Sequence, residues 1–82
     1  MKKAQPDTLD ALRPGETGTI LALHASVELY RRLAALGLRV GKHVRILRRG
    51  RFAGPLHVRV GTTDLMLRAS DACRIQVQRS HT

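Results

Sequence analysis

The chain has 82 residues, of which 15 are Lys or Arg and 6 are Asp or Glu, for a formal net charge of +9. That length holds one domain that buries roughly 60–65% of its chain surface, a thin core that disfavours a deep, dry active site. A hydrophobic content of 43% argues against disorder, the single Cys73 excludes an intrachain disulfide, and the positive charge favours nucleic acid, acidic protein or phospholipid headgroups as partners.

Met1 to Asp7 has two lysines but no apolar run after them, so it does not read as a signal peptide. No later apolar run approaches the length of a spanning helix. The lone cysteine fits a reducing compartment, and a cytoplasmic protein is expected. Thr8 or Asp7 can cap a short turn carrying Leu9 and Leu12, stopped by Pro14-Gly15. Thr17 to Leu23 is β-branched and aliphatic and reads as a strand; Gly18 within it marks a bend or a close backbone approach.

Ser26 is a good N-cap, and Glu28 in the first turn suits the helix dipole. Leu29, Leu33 and Leu36 recur at helical spacing, Tyr30 and Ala34 widen the stripe, and Arg31 and Arg32 fall on the other side. Gly37 is the natural residue to end this helix in the left-handed conformation, with Leu38 folding back onto it.

The second half alternates. Val44 and Ile46, then Leu56, Val58 and Val60, then Leu65 and Leu67, then Ile75 and Val77 each form the apolar face of a half-buried strand. Gly61-Thr62-Thr63-Asp64 is short enough for a hairpin, and Ser70-Asp71-Ala72 reads as one helical turn capped by Ser70. About five short strands and one early helix predict a mainly β fold: a small SH3-like barrel with the helix inserted after the first strand. It forms one domain over residues 1–82, with flexible ends at about 1–7 and 79–82.

The chemistry-bearing residues do not assemble into a catalytic motif. His24, His43, His57, His81 and Cys73 form no pair with metal-ligand spacing, although His43 and His57 could approach each other across paired strands. No nucleophile elbow, phosphate loop or carboxylate pair is present, and Cys73 reads as a small, semi-buried residue. No metal, cofactor or catalytic residue is assigned. Arg45, His57, Arg59 and Arg68 point outward if the aliphatic residues point inward, and Lys42, Arg48, Arg49 and Arg51 extend the charge. A solvated face and a phosphate-binding face both fit this pattern. Single-strand nucleic-acid binders stack bases on aromatic platforms, which these strands lack, so nucleic acid is the weaker partner.

Four segments in fixed order, covering Leu9 to Val77, resemble the FeoA family. They are L-x-x-L-x-x-G-x-x-G-x-I (Leu9, Leu12, Gly15, Gly18, Ile20), R-R-L-A-A-L-G-L-R-V-G (Arg31 to Gly41), G-P-L-H-V (Gly54 to Val58) and L-x-L-R-x-x-x-A-x-x-I-x-V (Leu65 to Val77). Gly54 departs from the family's usual acidic residue before the proline. The resemblance implies an SH3-like barrel and a non-enzymatic adaptor that supports ferrous iron uptake by docking on the cytoplasmic part of FeoB, the GTPase-containing membrane transporter. The membrane is then met only through that partner. It also raises the helix to the expected contact, with Tyr30, Arg31, Arg32, Leu33, Leu36, Gly37 and Leu38 at the interface and Arg45 and Arg59 steering. A basic β-barrel for RNA and a metal-sensing module are the alternatives.

Overall fold

A computed structural model describes residues 7–52 and 54–80. Its elements in order are β1 (Asp7–Thr8), a 3-10 turn (Leu9–Ala11), β2 (Thr17–Leu23), α1 (Val27–Ala35), β3 (His43–Arg49), β4 (Leu56–Val60), β5 (Thr63–Leu67), α2 (Ala69–Ala72) and β6 (Ile75–Arg79). The strands form one antiparallel sheet in the order β1-β6-β2-β3-β4-β5. The fold is mainly β, as expected, with five full strands and α1 inserted after the first of them.

Alternation decides which side chains go in. Ile20, Val44, Ile46, Leu56, Val58, Val60, Leu67, Ile75 and Val77 converge on one buried cluster, and Leu65 packs against it half-buried. A single sheet can surround one cluster only by curling. Two bulges help it to bend: the register shifts between Ile20 and Ala22 and between Ile46 and Arg48. Gly18 sits where β2 crosses closest to β6, since a Cβ there would lie 3.1 Å from Val77 Cβ and 3.3 Å from the Gln78 carbonyl oxygen. Leu9 and Leu12 from the 3-10 turn and its exit, and Leu33 and Leu38 from α1 and its exit, join the same buried cluster.

Helix α1 starts and stops where its residues dictate. Ser26 Oγ accepts the Leu29 N–H at 3.2 Å. At the other end Gly37 takes φ +97°, the Leu38 N–H donates to the Leu33 carbonyl (2.9 Å) and the Gly37 N–H to the Ala34 carbonyl (3.0 Å). These two bonds make a Schellman closure, which satisfies carbonyls the helix leaves orphaned.

Several local expectations need correction. The β4–β5 turn is only Gly61-Thr62, because Thr63 pairs with Val60 and Asp64 with Arg59. Ser70 does not cap α2; the cap position is Arg68, without a side-chain bond. Thr8 precedes the 3-10 turn but makes no capping bond to it, and its hydroxyl donates to the Asp10 carboxylate instead. Asp7 and Arg79, placed in loose ends by the sequence, are strand residues. Arg79 Nε lies 3.4 Å from Asp7 Oδ2, and Arg79 Nη1 lies 3.4 Å from Glu16 Oε2. The Ser80 N–H donates to the Thr17 carbonyl at 2.8 Å, and the rest of the expected flexible ends, residues 1–6 and 81–82 with His81, falls outside the described residues.

Leu33 is 1% exposed, so truncating it leaves a cavity in a core with little redundancy. Leu33→Ala is expected to cost about 2–5 kcal/mol, seen as a lower urea midpoint with an unchanged slope, and Leu33→Glu to prevent folding.

Candidate docking groove

The stripe read from the sequence divides between core and surface. Leu33 and Leu38, two of the expected contact residues, are buried at 1% and 0% exposure and serve the core. Gly37 is half-buried, and its role is the helix closure. Leu36, by contrast, is 41% exposed. It stands one residue before the chain turns back, at the helix C-cap, so its side chain stays outside while Leu38 goes in.

Leu36 lines a depression of about 260 Å³ with Arg32, Leu33, Met66, Leu67, Arg68 and Asp71. Three elements build it. From α1 come Arg32 and Leu36, four residues apart and therefore on one face. From β5 comes Met66, the outward member of the alternation Leu65-Met66-Leu67, which is 59% exposed. Arg68 and Asp71 come from the start and interior of α2. Arg32 Nη2 approaches Asp71 Oδ2 at 3.7 Å, an ion pair that ties α1 to α2. Its partly exposed partners limit it to about 1 kcal/mol or less. The groove is thus an apolar floor of Leu36 and Met66 between two arginines, one of them already paired.

Tyr30 is exposed but does not line this groove, and neither does Arg31. Arg45 and Arg59 lie elsewhere, opposite each other on the outward face of β3 and β4. Sequence reasoning missed Met66, Arg68 and Asp71 as neighbours of the helix. Met66 carried a readable signal, being a large apolar residue at an outward strand position. Nothing local to α2 predicts that Asp71 reaches Arg32.

The outward face of the sheet is polar. Arg59 donates to Asp64 through both Nε (2.6 Å to Oδ1) and Nη2 (3.1 Å to Oδ2), a bidentate pair on the β4–β5 hairpin. His57 Nε2 lies 3.7 Å from Asp64 Oδ2. The Arg59 hydrogen bonds hold the Asp64 carboxyl below its ordinary value of 3.8; desolvation opposes this, while the charges of Arg59 and His57 add to it. The same bonds push Arg59 up. His43 and His57 do not meet across the strands: His43 is opposite Thr19, with Nδ1 3.0 Å from the Thr19 hydroxyl, and His57 is opposite Arg48 and Met66. Among the described residues no three His, Cys, Asp or Glu side chains gather around a common point. Cys73 is exposed, not semi-buried, and its Sγ donates to the Ser70 carbonyl at 3.0 Å.

The model of the FeoA domain matches residues 8–79 of this chain. No curated protein matches. Among solved structures, a crystal structure of the iron uptake regulatory protein FeoA superposes with a TM-score of 0.86 at 21% identity, covering 93% of this chain and 100% of that one. The zinc-complexed FeoA of Stenotrophomonas maltophilia, described as a procaryotic SH3 domain protein and a candidate ferrous iron transport activating factor, gives 0.72 at 36% identity, with 87% and 88% covered. A manganese-dependent transcriptional repressor gives 0.85 at 27% identity over 98% of this chain, which spans only 45% of the repressor.

Because Asp64 is depressed when folded, its pair with Arg59 stabilises the hairpin above the ordinary carboxylate range and is lost as pH falls through the folded value. A carboxyl-carbon NMR titration is expected to place the Asp64 midpoint below 3.8, and Arg59→Ala to move it upward.

Proposed function

The chain belongs to the FeoA family, and from that premise we propose that it is a non-enzymatic adaptor for bacterial ferrous iron uptake. It docks on the cytoplasmic part of an FeoB-type transporter and biases that partner's assembly or nucleotide state. The observation that carries this reading is the α1–β5–α2 groove, where Leu36 and Met66 stay exposed while the inward aliphatic residues of the sheet are buried. Support also comes from the 36% identity to the Stenotrophomonas protein, described as a candidate activating factor for ferrous iron transport. No helix among the described residues is long and apolar enough to cross a membrane, which fits a role exercised from the cytoplasm on a transporter.

Magnitudes favour a reversible contact. Burying what remains exposed of Leu36 and Met66 yields roughly 2–3 kcal/mol, less than association costs in lost freedom. The flanking Arg32 and Arg68 therefore have to add to it, by meeting acidic groups of the partner and by raising the rate of encounter. Tyr30, Arg31, Arg45 and Arg59 stand outside the groove and are assigned the rim and the steering field. The metal-sensing alternative has no gathered ligands to support it, and the nucleic-acid alternative has no aromatic residue on the outward strand face.

Leu36→Glu places a charge at the groove floor without entering the core. It is expected to abolish co-purification with the transporter's cytoplasmic domain and to reduce ferrous iron uptake at least tenfold, while the thermal midpoint stays within a few degrees. Normal uptake by this folded variant would overturn the docking reading.

A further inference from the structure

The connection between β3 and β4 carries a side chain that folding does not explain. Phe52 is 98% exposed, at φ +53°. A bulky residue is uncommon in that left-handed region, and nothing is returned by packing. Glycine or asparagine would hold the same turn at lower cost. Phenylalanine there raises both strain and exposed apolar area.

The loop presenting Phe52 is closed at its base. The Gly50 N–H donates to the Pro55 carbonyl at 2.8 Å. A Cβ on Gly54 would meet the Arg51 carbonyl oxygen at 2.9 Å and Gly50 Cα at 3.1 Å, and a Cβ on Gly50 would meet Pro55 Cδ at 3.0 Å. Two glycines thus let the two limbs touch, and the ring stands at the tip of a narrow, pinned projection.

The surroundings are cationic. From Leu29 to Thr63 the sequence contains nine Lys or Arg and no carboxylate. Arg49 is engaged elsewhere, donating to the carbonyls of Asp10 and Leu12. Arg48 and Arg51 are exposed beside the tip, and Arg68 lines a depression with Gly54 and Pro55 at the loop's base. Among the described residues no ion pair reaches Arg48, Arg51 or Arg68.

We propose that the β3–β4 loop is a membrane-surface anchor, with Phe52 entering the headgroup–acyl boundary of an anionic bilayer and Arg48, Arg51 and Arg68 meeting lipid phosphates. The arrangement matches what such a surface offers: an apolar layer beneath a negative plane. A nucleic acid would instead need aromatic faces lying between the cations, where bases can stack in succession. Here the loop offers one exposed ring, and the strands carry no aromatic residue on which further bases could stack. Each arginine near an anionic surface contributes about fivefold in partitioning, so three arginines and one ring give weak, salt-sensitive, reversible attachment. That strength suits a protein that is concentrated at a membrane and still released from it.

The chain has no tryptophan, so Phe52→Trp supplies a single tryptophan, excited selectively over Tyr30, at a position where the fold is indifferent to the ring. Titrated with phosphatidylglycerol-containing vesicles, the full-length variant is expected to shift its emission to the blue, and to show no shift with phosphatidylcholine alone. In vesicle co-sedimentation, Phe52→Ser is expected to lower binding several-fold and Arg48→Glu with Arg51→Glu more than tenfold, while the uncharged Leu36→Ala leaves it unchanged. This last arm separates the anchor from transporter docking. Absence of a shift, equal binding to neutral vesicles, or undiminished binding by Phe52→Ser would overturn the proposal. A response to single-stranded RNA in place of vesicles would overturn it in favour of nucleic acid.

Discussion

The carbonyl of Leu33 accepts the Leu38 N–H across Gly37, and the placement of α1 depends on that one turn. Because the chain reverses within two residues, both Leu33 and Leu38 enter the core from the same end of the helix, and Leu36 between them cannot. The apolar floor beside β5 is therefore a by-product of helix closure. The left-handed residue that makes this possible has space around it, with the nearest foreign atom 3.9 Å from an added Cβ. Its demand for glycine comes from backbone conformation and not from crowding.

Charge is organised by where the few carboxylates sit. Asp7 and Glu16 hold Arg79, Asp64 holds Arg59, and Asp71 faces Arg32. Each of these acids joins elements distant in sequence or the two strands of the hairpin, so negative charge goes to fastening. Among the described residues no carboxylate pairs with the arginines of β3 and its loop, so positive charge accumulates there. Arg45 and Arg59 are direct neighbours across β3 and β4, a like-charge pair that costs stability. The bidentate Asp64 contact on one of them offsets part of that cost.

Period-two alternation and the signals at Ser26 and Gly37 were enough to place β2 to β6 and α1, because each follows from bonding within a few residues. The features the sequence did not reveal depend on distant partners. Asp7 forms a strand only because Val77 lies opposite, and Ser70 fails as a cap because α2 begins one residue earlier. Leu33 and Leu36 look equivalent on a helical wheel. Their fates diverge because Leu33 enters the core cluster, while Leu36 sits at the C-cap where the helix stops. Met66 and Leu36 lie thirty residues apart in sequence, and only the sheet order brings them to one groove.

Strand order has a consequence for the life of the chain. β6, made after β2 to β5, lies between β1 and β2, and it supplies Ile75 and Val77 to the core. A nascent chain halted before residue 75 has neither the seam that joins its two ends nor a closed interior. Long-range pairing of this kind slows folding, and the native state waits until β6 has been made. Until then the aliphatic strands have no shelter of their own. Premature termination before residue 75 thus removes two core side chains and the β1-β6-β2 pairing together, and yields fragments for proteolysis in place of a partly working protein.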